Sequence, residues 1–184
     1  MPENASFEEA AAIIFGGQTA IHFLQKAKIA QKSHPRVLVI GATSSVGTAA
    51  VQIAKHFDAN VTAVCGSKGK SLVLSLGVKN VVLYDTEDVT KLIEKFDIIF
   101  DAVGKSNKNQ CKKLLKRKGK YVSMSAGYAS ETKQQLEQLK DLFEKGKIKA
   151  TIDKTFSMDK IVEAHRYVDT GRKKGDVVLK ISEK

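Results

Sequence analysis

The segment at residues 36–51, RVLVIGATSSVGTAAV, constrains the fold more than any other part of this chain. Residues 37–40 form an uninterrupted apolar run, which is typical of a parallel strand covered on both faces. Small residues fill the turn that follows, and residues 45–57 have the pattern of a helix. Because a helix N-terminus offers unpaired N–H groups and the positive end of the helix dipole, such a turn can bind a pyrophosphate without a cationic side chain.

Compared with the dinucleotide fingerprint GxGxxG, this turn keeps only the third glycine, Gly47, with Ala42 and Ser44 at the first two positions. Taken alone the match is weak, and a tight strand-to-helix turn in another α/β protein is the competing interpretation. The context favours a dinucleotide site, because the turn lies within a strand–helix–strand unit of about 30 residues.

Predicted strands and helices alternate along the chain. The strands are expected at residues 37–40, 60–65, 81–84, 97–101, 119–124 and 148–156. The helices are expected at residues 6–29, interrupted by Gly16 and Gly17, and at 45–57, 71–76, 88–95, 107–116 and 131–145. This alternation predicts an α/β fold, a Rossmann-type doubly wound parallel sheet of six strands in the order 3-2-1-4-5-6 with helices on both faces. A C-terminal tail adds a helix at 159–170 and a strand at 176–181.

Composition limits the kinds of partner. The chain has 184 residues, with 42% hydrophobic and 28% charged residues, which suits one domain or one domain plus part of another. The net charge of +11 is concentrated partly at residues 112–120 and 172–174, but no aromatic residue interrupts the first block. We therefore expect a solvated face at the end of a helix and no nucleic-acid binding.

Membrane and metal sites are not expected either. No apolar run approaches the roughly 18 residues of a spanning helix, and the N-terminus lacks a signal pattern, which predicts no membrane association and a cytoplasmic location. Cys65 and Cys111 are the two cysteines and the four histidines are scattered, so neither a disulfide nor a metal site is predicted.

The end of the second predicted strand indicates which dinucleotide binds. It continues as Cys65-Gly66-Ser67-Lys68-Gly69-Lys70, without the acid that accepts hydrogen bonds from the ribose hydroxyls of NAD. A hydroxyl and two lysines would instead hold a 2'-phosphate. We predict NADPH over NADH by at least tenfold, which is about 1.4 kcal/mol. The competing interpretation is an ordinary solvated loop in a lysine-rich protein.

Several segments together resemble one family. They are FGGQTAIHFL (15–24), VLVIGATSSVGTAAVQIAK (37–55), VTAVCGSK (61–68), SLGVKNVVLYDTED (75–88), FDIIFDAVG (96–104), GKYVSMSAG (119–127) and IDKTFSMDKIVEAHRYVDTGRKKGDVVLKI (152–181). In this order they resemble the zinc-independent, quinone oxidoreductase-like branch of the medium-chain dehydrogenase/reductase superfamily. The resemblance covers nearly the whole chain.

The resemblance implies roles for individual residues. They group by the part of NADPH that they would contact: Thr43, Ser44, Ser45 and Val46 the pyrophosphate; Ser67 and Lys68 the 2'-phosphate; Tyr84 the adenosine; Val103, Gly104, Met124 and Ser125 the nicotinamide end; and Arg172 and Lys173 a further nucleotide contact. Lys70 is added to the 2'-phosphate residues by the charge of the turn after Cys65. The resemblance also implies hydride transfer from NADPH to a quinone, an enone or a similar conjugated carbonyl compound, and a homodimer. Ser44 and Ser45 stand where the family commonly has glycines.

The resemblance further implies a missing partner domain. The family places a substrate-binding β domain before residue 15, so residues 1–30 are expected to be linking helices, 31–156 the NADP-binding domain, and 157–184 a segment that packs on that β domain. No catalytic residue is nominated, and the chain is expected to be inactive by itself. The tail is expected to self-associate through Val177, Val178, Leu179 and Ile181.

The sequence also bears on competing functions. A short-chain dehydrogenase needs a tyrosine with a lysine four residues later, and none of the four tyrosines has one. A noncatalytic NAD(P)-sensing regulatory module is the main alternative, because such a module would need no second domain.

Overall fold

A five-stranded parallel sheet forms the centre of the computed structural model, which describes residues 1–130 and 132–181. Its order is β3-β2-β1-β4-β5. The strands are β1 (Arg36–Ile40), β2 (Asn60–Cys65), β3 (Asn80–Leu83), β4 (Phe96–Asp101) and β5 (Leu115–Ser123). All four neighbouring pairs are parallel. The doubly wound α/β prediction is therefore confirmed for these five strands.

The predicted sixth strand does not join this sheet. β6 (Ile152–Ser157) pairs in parallel with β7 (Asp176–Lys180) in a separate two-stranded sheet, and α6 (Ile161–Asp169) connects them. No residue of β6 is fully buried, which does not suit a strand covered on both faces. β5 is thus an edge strand, and its exposed cations at residues 116–118 are typical of edges that resist pairing with another chain.

The helices are α1 (Phe7–Lys26), α2 (Ser45–His56), α3 (Lys70–Ser75), α4 (Lys108–Cys111), α5 (Lys133–Glu144) and α6. The predicted interruption of the first helix is wrong, because α1 runs without a break through Gly16 and Gly17. A Cβ on Gly16 would lie 2.5 Å from the Ser45 carbonyl oxygen, and one on Gly17 would lie 2.5 Å from Leu139 Cδ1. The two glycines therefore allow α1 to pack closely on α2 and α5.

Two other helices are shorter than predicted. Residues 88–95 contain only a 3₁₀ turn, Val89–Lys91, capped by Asp88. The helix predicted at 107–116 ends at Cys111, and a 3₁₀ turn then leads into β5. The basic block at 112–120 consequently lies mainly in an edge strand and not at a helix end. Glu131, the predicted start of the helix now seen at Lys133–Glu144, lies outside the described residues.

The two faces of the sheet are covered unequally. Val37 and Val39 of β1 belong to a large apolar core with α1, α2 and α5. Leu38, on the opposite face, belongs to a smaller cluster that includes Cys111 and Leu114. The thin cover on this second face leaves room for a cleft. In the part of the chain that the structure describes, no helix is long and apolar enough to cross a membrane.

The tail is partly packed within the chain. Val178 of β7 is only 6% exposed, and β7 lies against α1. The expectation that the apolar face of the tail lacks a partner is therefore wrong for Val178. Ile181, just after β7, is 83% exposed.

Candidate functional site

A cleft of about 520 Å³ opens at the carboxyl ends of β1, β2 and β4, where the strand order changes direction. This is the size of a small-molecule site and the place where doubly wound sheets bind ligands. Its lining includes two cations, Lys105 and Lys173, and no acidic side chain among the described residues. The other lining residues are Ile40, Gly41, Thr43, Ser44, Val64, Cys65, Tyr84, Val89, Thr90, Val103, Ser106, Gln110, Cys111, Leu114 and Gly171.

The N-terminus of α2 lies beside this cleft. Ser44 is the N-cap, and its hydroxyl accepts a hydrogen bond from the Gly47 N–H at 3.0 Å. The Ser45 N–H faces the Gly175 carbonyl, because Ser44 and Gly175 form a parallel β-bridge, whereas the Val46 N–H has no backbone acceptor within the described part of the chain. A Cβ on Gly47 would collide with the Gly41 carbonyl oxygen, so this glycine allows close packing of α2 on the end of β1. The first turn of α2 therefore offers the Val46 N–H as a free donor for an anion.

Residues 171–176, here called the C-terminal strap, cross this turn. The Gly175 N–H donates to the Thr43 carbonyl at 2.7 Å, and the Ser45 hydroxyl donates to the Gly175 carbonyl at 3.0 Å. Lys173 Nζ lies 2.6 Å from Ser45 Oγ and 2.7 Å from the Gly175 carbonyl oxygen. Burial lowers the pKa of Lys173, and Asp176 and Asp153 partly oppose this effect. The strap thus holds a cation at the start of α2 and turns the Ser45 hydroxyl away from the cleft.

A carboxylate lies at the end of β2, which the sequence did not predict there. Asp85, which follows β3, accepts hydrogen bonds from the Ser67 N–H at 2.9 Å and from the Ser67 hydroxyl at 2.9 Å. The Ser67 N–H and then its hydroxyl lower the pKa of Asp85. The expectation that no carboxylate is available at this turn is wrong, because the neighbouring strand supplies one. Lys68 and Lys70 are exposed, and neither forms an ion pair with another described residue.

The ends of β4 and β5 are ordered by a buried acid, Asp101. Its side chain accepts from the Val103 N–H at 3.2 Å, from the Ser106 N–H at 2.7 Å and from the Ser106 hydroxyl at 2.9 Å. Asp101 thereby fixes the loop that carries Val103 and Gly104. At the end of β5, the hydroxyls of Ser123 and Ser125 are 2.9 Å apart.

The predicted site residues lie in several parts of the structure around the carboxyl ends of the strands. Thr43, Ser44, Tyr84, Val103 and Lys173 line the cleft together. Ser45 and Val46 are buried at the first turn of α2, and Ser67, Lys68 and Lys70 lie on the turn after Cys65. Gly104, Met124, Ser125 and Arg172 do not line the cleft but lie on the adjoining loops at this end of the sheet or on the strap.

Among the charged residues at or beside this site, Asp85, Asp101 and Lys105 were not predicted from the sequence. Asp101 had a signal in the sequence, because it ends the apolar run DIIFD and should therefore be buried. A buried carboxylate needs several hydrogen-bond donors nearby. Asp85 and Lys105 carry no local signal, because each reaches the site from a loop that the sequence alone does not place.

Comparison with known proteins agrees with this architecture. A family model described as "Zinc-binding dehydrogenase" matches residues 45–160. The chain is 36% identical to 2-methylene-furan-3-one reductase of Solanum lycopersicum, an alignment that covers 97% of this chain and 48% of the relative. It is 29% identical to a chloroplastic NADPH-dependent alkenal/one oxidoreductase of Arabidopsis thaliana, again over 97% and 48%. The chain thus spans about half the length of these curated relatives.

Two solved structures have the same fold as this chain over nearly its whole length. The quinone oxidoreductase from Coxiella burnetii superposes with a TM-score of 0.89 at 25% identity, covering 98% of this chain and 62% of that one. An NAD-dependent alcohol dehydrogenase superposes with a TM-score of 0.84 at 28% identity, covering 98% and 61%.

The zinc named in the family description has no fitting site in this part of the chain. Among residues 1–130 and 132–181, no three His, Cys, Asp or Glu side chains come together in a way that would hold a metal ion. Cys65 and Cys111 are both buried, and burial raises the pKa of each thiol, which disfavours the thiolate that zinc requires. We derive no step through zinc.

Proposed function

Since this chain belongs to the zinc-binding dehydrogenase family, in the quinone oxidoreductase-like branch of the medium-chain dehydrogenase/reductase superfamily, we propose that it is the NADPH-binding part of a quinone or enone oxidoreductase. The proposed reaction is hydride transfer from NADPH to a conjugated carbonyl acceptor. The names of the relatives, an alkenal/one oxidoreductase and a furanone reductase, support this class of substrate.

One observation carries the proposal: the free Val46 N–H and the Lys173 ammonium lie at the start of α2, beside a cleft that has no acidic lining residue among those described. This donor set fits a pyrophosphate, because the Val46 N–H and the Lys173 ammonium are both donors at a helix N-terminus, although Asp176 and Asp153 already interact with Lys173. The Ser44 hydroxyl already serves the Gly47 N–H, so Ser44 contributes to the shape of the turn and removes one donor.

We assign the remaining groups by their position at this end of the sheet. Tyr84 is 64% exposed at the cleft and suits the adenosine. Ser67, Lys68 and Lys70 are proposed to hold the 2'-phosphate, which is the basis for preferring NADPH. Val103, Gly104, Met124 and Ser125 are proposed to lie beside the nicotinamide, and Arg172 to add a contact from the strap.

The nicotinamide, when bound and reduced, supplies the hydride. The protein must hold it against an acceptor and exclude water. Val103 is 40% exposed and Ser125 is exposed, so this end of the site has no second wall among the described residues. We therefore propose that a further domain completes the enclosure, that residues 1–30 and 157–184 pack against it, and that this segment alone gives no turnover. We name no catalytic residue, and we propose zinc-independent chemistry.

Oligomeric state and location are also proposals. We propose that the chain forms a homodimer, with contacts that include Ile181 at the exposed end of the tail. Light scattering at high concentration tests this, and a monomer there would contradict it. We also propose a cytoplasmic location.

Calorimetric titration of the 184-residue chain with NADPH and NADH tests the proposed function. We expect NADPH to bind at least about tenfold more tightly than NADH, a difference of about 1.4 kcal/mol. Equal affinities would reject the proposed 2'-phosphate site. Absence of binding by either dinucleotide would reject the proposed function as a whole.

A further inference from the structure

The Asp85 carboxylate accepts hydrogen bonds from Ser67, the residue that is proposed above to hold the 2'-phosphate of NADPH. Its two carboxylate oxygens lie 3.1 and 2.9 Å from the Ser67 nitrogen, and Oδ1 also accepts from the Ser67 hydroxyl at 2.9 Å. A phosphate monoester would use the same N–H and hydroxyl donors, because phosphate and carboxylate oxygens both accept charge-assisted hydrogen bonds. We propose that Asp85 determines cofactor selectivity by competing with the 2'-phosphate of NADPH for the Ser67 donors.

The loop after β3 does not need this contact to keep its shape. The N–H groups of Thr86 and Glu87 donate to the Leu83 carbonyl at 3.0 and 2.7 Å, and Glu87 Oε1 accepts from the Leu83 N–H at 3.1 Å. These bonds close the turn without Asp85. The Asp85 side chain instead reaches a turn 18 residues earlier in the chain, on the neighbouring strand. It is therefore free to move away when another anion arrives.

Asp88, three residues after Asp85, makes the same kind of contact within its own turn. Asp88 accepts from the Thr90 N–H at 2.9 Å and from the Thr90 hydroxyl at 2.7 Å, two residues further along. Asp85 and Asp88 thus make the same pair of bonds to an N–H and a hydroxyl. Only Asp85 makes them to the residue proposed to hold the 2'-phosphate.

The competition affects the two dinucleotides differently. The 2'-phosphate of NADPH must displace the Asp85 carboxylate and then lie near a like charge, which weakens binding. NADH places only a neutral hydroxyl there, which neither displaces the carboxylate nor is repelled by it. Asp85 therefore lowers the affinity for NADPH without lowering that for NADH. Lys68 and Lys70, on the same turn, favour NADPH, so the observed selectivity is the balance of the two effects.

Calorimetry on Asp85→Asn and Asp85→Ala, with Asp88→Asn as the matched control, tests this inference, which rests on the proposed function. The probes are NADPH, NADH, 2',5'-ADP and AMP, so that the 2'-phosphate is examined with and without the nicotinamide. Both Asp85 variants should bind NADPH and 2',5'-ADP about tenfold more tightly, the size of one charge-assisted bond, with NADH and AMP changed by less than about twofold. Asp88→Asn should leave all four affinities unchanged.

The outcomes separate this inference from the function. If the wild type binds NADPH and the Asp85 variants bind it no more tightly, or tighten NADPH and NADH equally, the role of Asp85 is refuted and the dinucleotide site stands. If no dinucleotide binds to the wild type or to any folded variant, the proposed function itself fails. Circular dichroism establishes that each variant is folded, and the exposed position of Asp85 predicts that all of them are.

Discussion

Replacing Gly16 with alanine would push α1 away from the first turn of α2. The added Cβ would lie 2.5 Å from the Ser45 carbonyl oxygen and 3.3 Å from the Val46 nitrogen, and these backbone atoms cannot rotate away. Overpacking of this kind lowers the free energy of unfolding by about 1–3 kcal/mol. Exchanging glycine for alanine within a helix raises it by about 1 kcal/mol, so the two effects partly cancel. We expect Gly16→Ala to be destabilised by up to about 2 kcal/mol, with a fall in Tm of about 4–8 °C.

Gly17→Ala is the matched control for this variant. Its Cβ would meet the Leu139 side chain, which can change rotamer. It would not meet the first turn of α2, where the pyrophosphate is proposed to bind. Gly17→Ala should therefore stay within about 1 kcal/mol of the wild type. Thermal denaturation followed by circular dichroism measures the stability difference, and calorimetry should show NADPH affinity reduced about tenfold in Gly16→Ala alone. Equal stability and equal affinity in the two variants would refute the idea that Gly16 sets the position of the free Val46 N–H.

Three further changes test other contacts. Burial raises the pKa of Asp97, but hydrogen bonds from Lys116 and the Arg36 N–H outweigh it and hold the pKa low. The stability that the Asp97 carboxylate provides is present above the unfolded pKa of about 3.9 and is lost as the pH falls through the lower folded-state pKa. Urea denaturation should therefore show Asp97→Asn about 0.5 kcal/mol less stable at pH 7, with a difference that shrinks as the pH falls below about 3.9. A stability difference between Asp97→Asn and the wild type that does not change with pH would contradict this. Lys173→Gln should weaken NADPH and NADH alike, by about three- to tenfold in calorimetry, since both carry the pyrophosphate; a change for NADPH alone would contradict this. Gly47→Ala should lose about 3 kcal/mol in urea denaturation, because its Cβ would collide with a backbone carbonyl, and wild-type stability would contradict the packing.

The sheet was predictable where each strand is an apolar run bounded by a turn. β1 and β2 have this pattern and appear at nearly the predicted positions. The sixth strand was assigned to the wrong sheet, because local sequence shows that a segment is extended but not which strand it pairs with. Gly16 and Gly17 suggested a break for a similar reason: glycine weakens an isolated helix, and packing on Ser45 and Leu139 overrides that preference.

The site was predictable only where its residues are adjacent in sequence. The turn before α2 carries its own signal, since its small residues and its helix N-terminus are consecutive. Asp85 and Ser67 are 18 residues apart and meet because β2 and β3 are neighbours in register. Lys173 reaches Ser45 over 128 residues through the C-terminal strap. Contacts of this kind depend on the assembled fold and leave no local pattern.

A crystal structure of this chain with NADPH bound tests the central claim most directly. We predict the pyrophosphate against the Val46 N–H beside Lys173, with the 2'-phosphate at Ser67 and the Asp85 carboxylate displaced. A nucleotide bound at the opposite end of the sheet, or an empty cleft at saturating NADPH, would contradict the account.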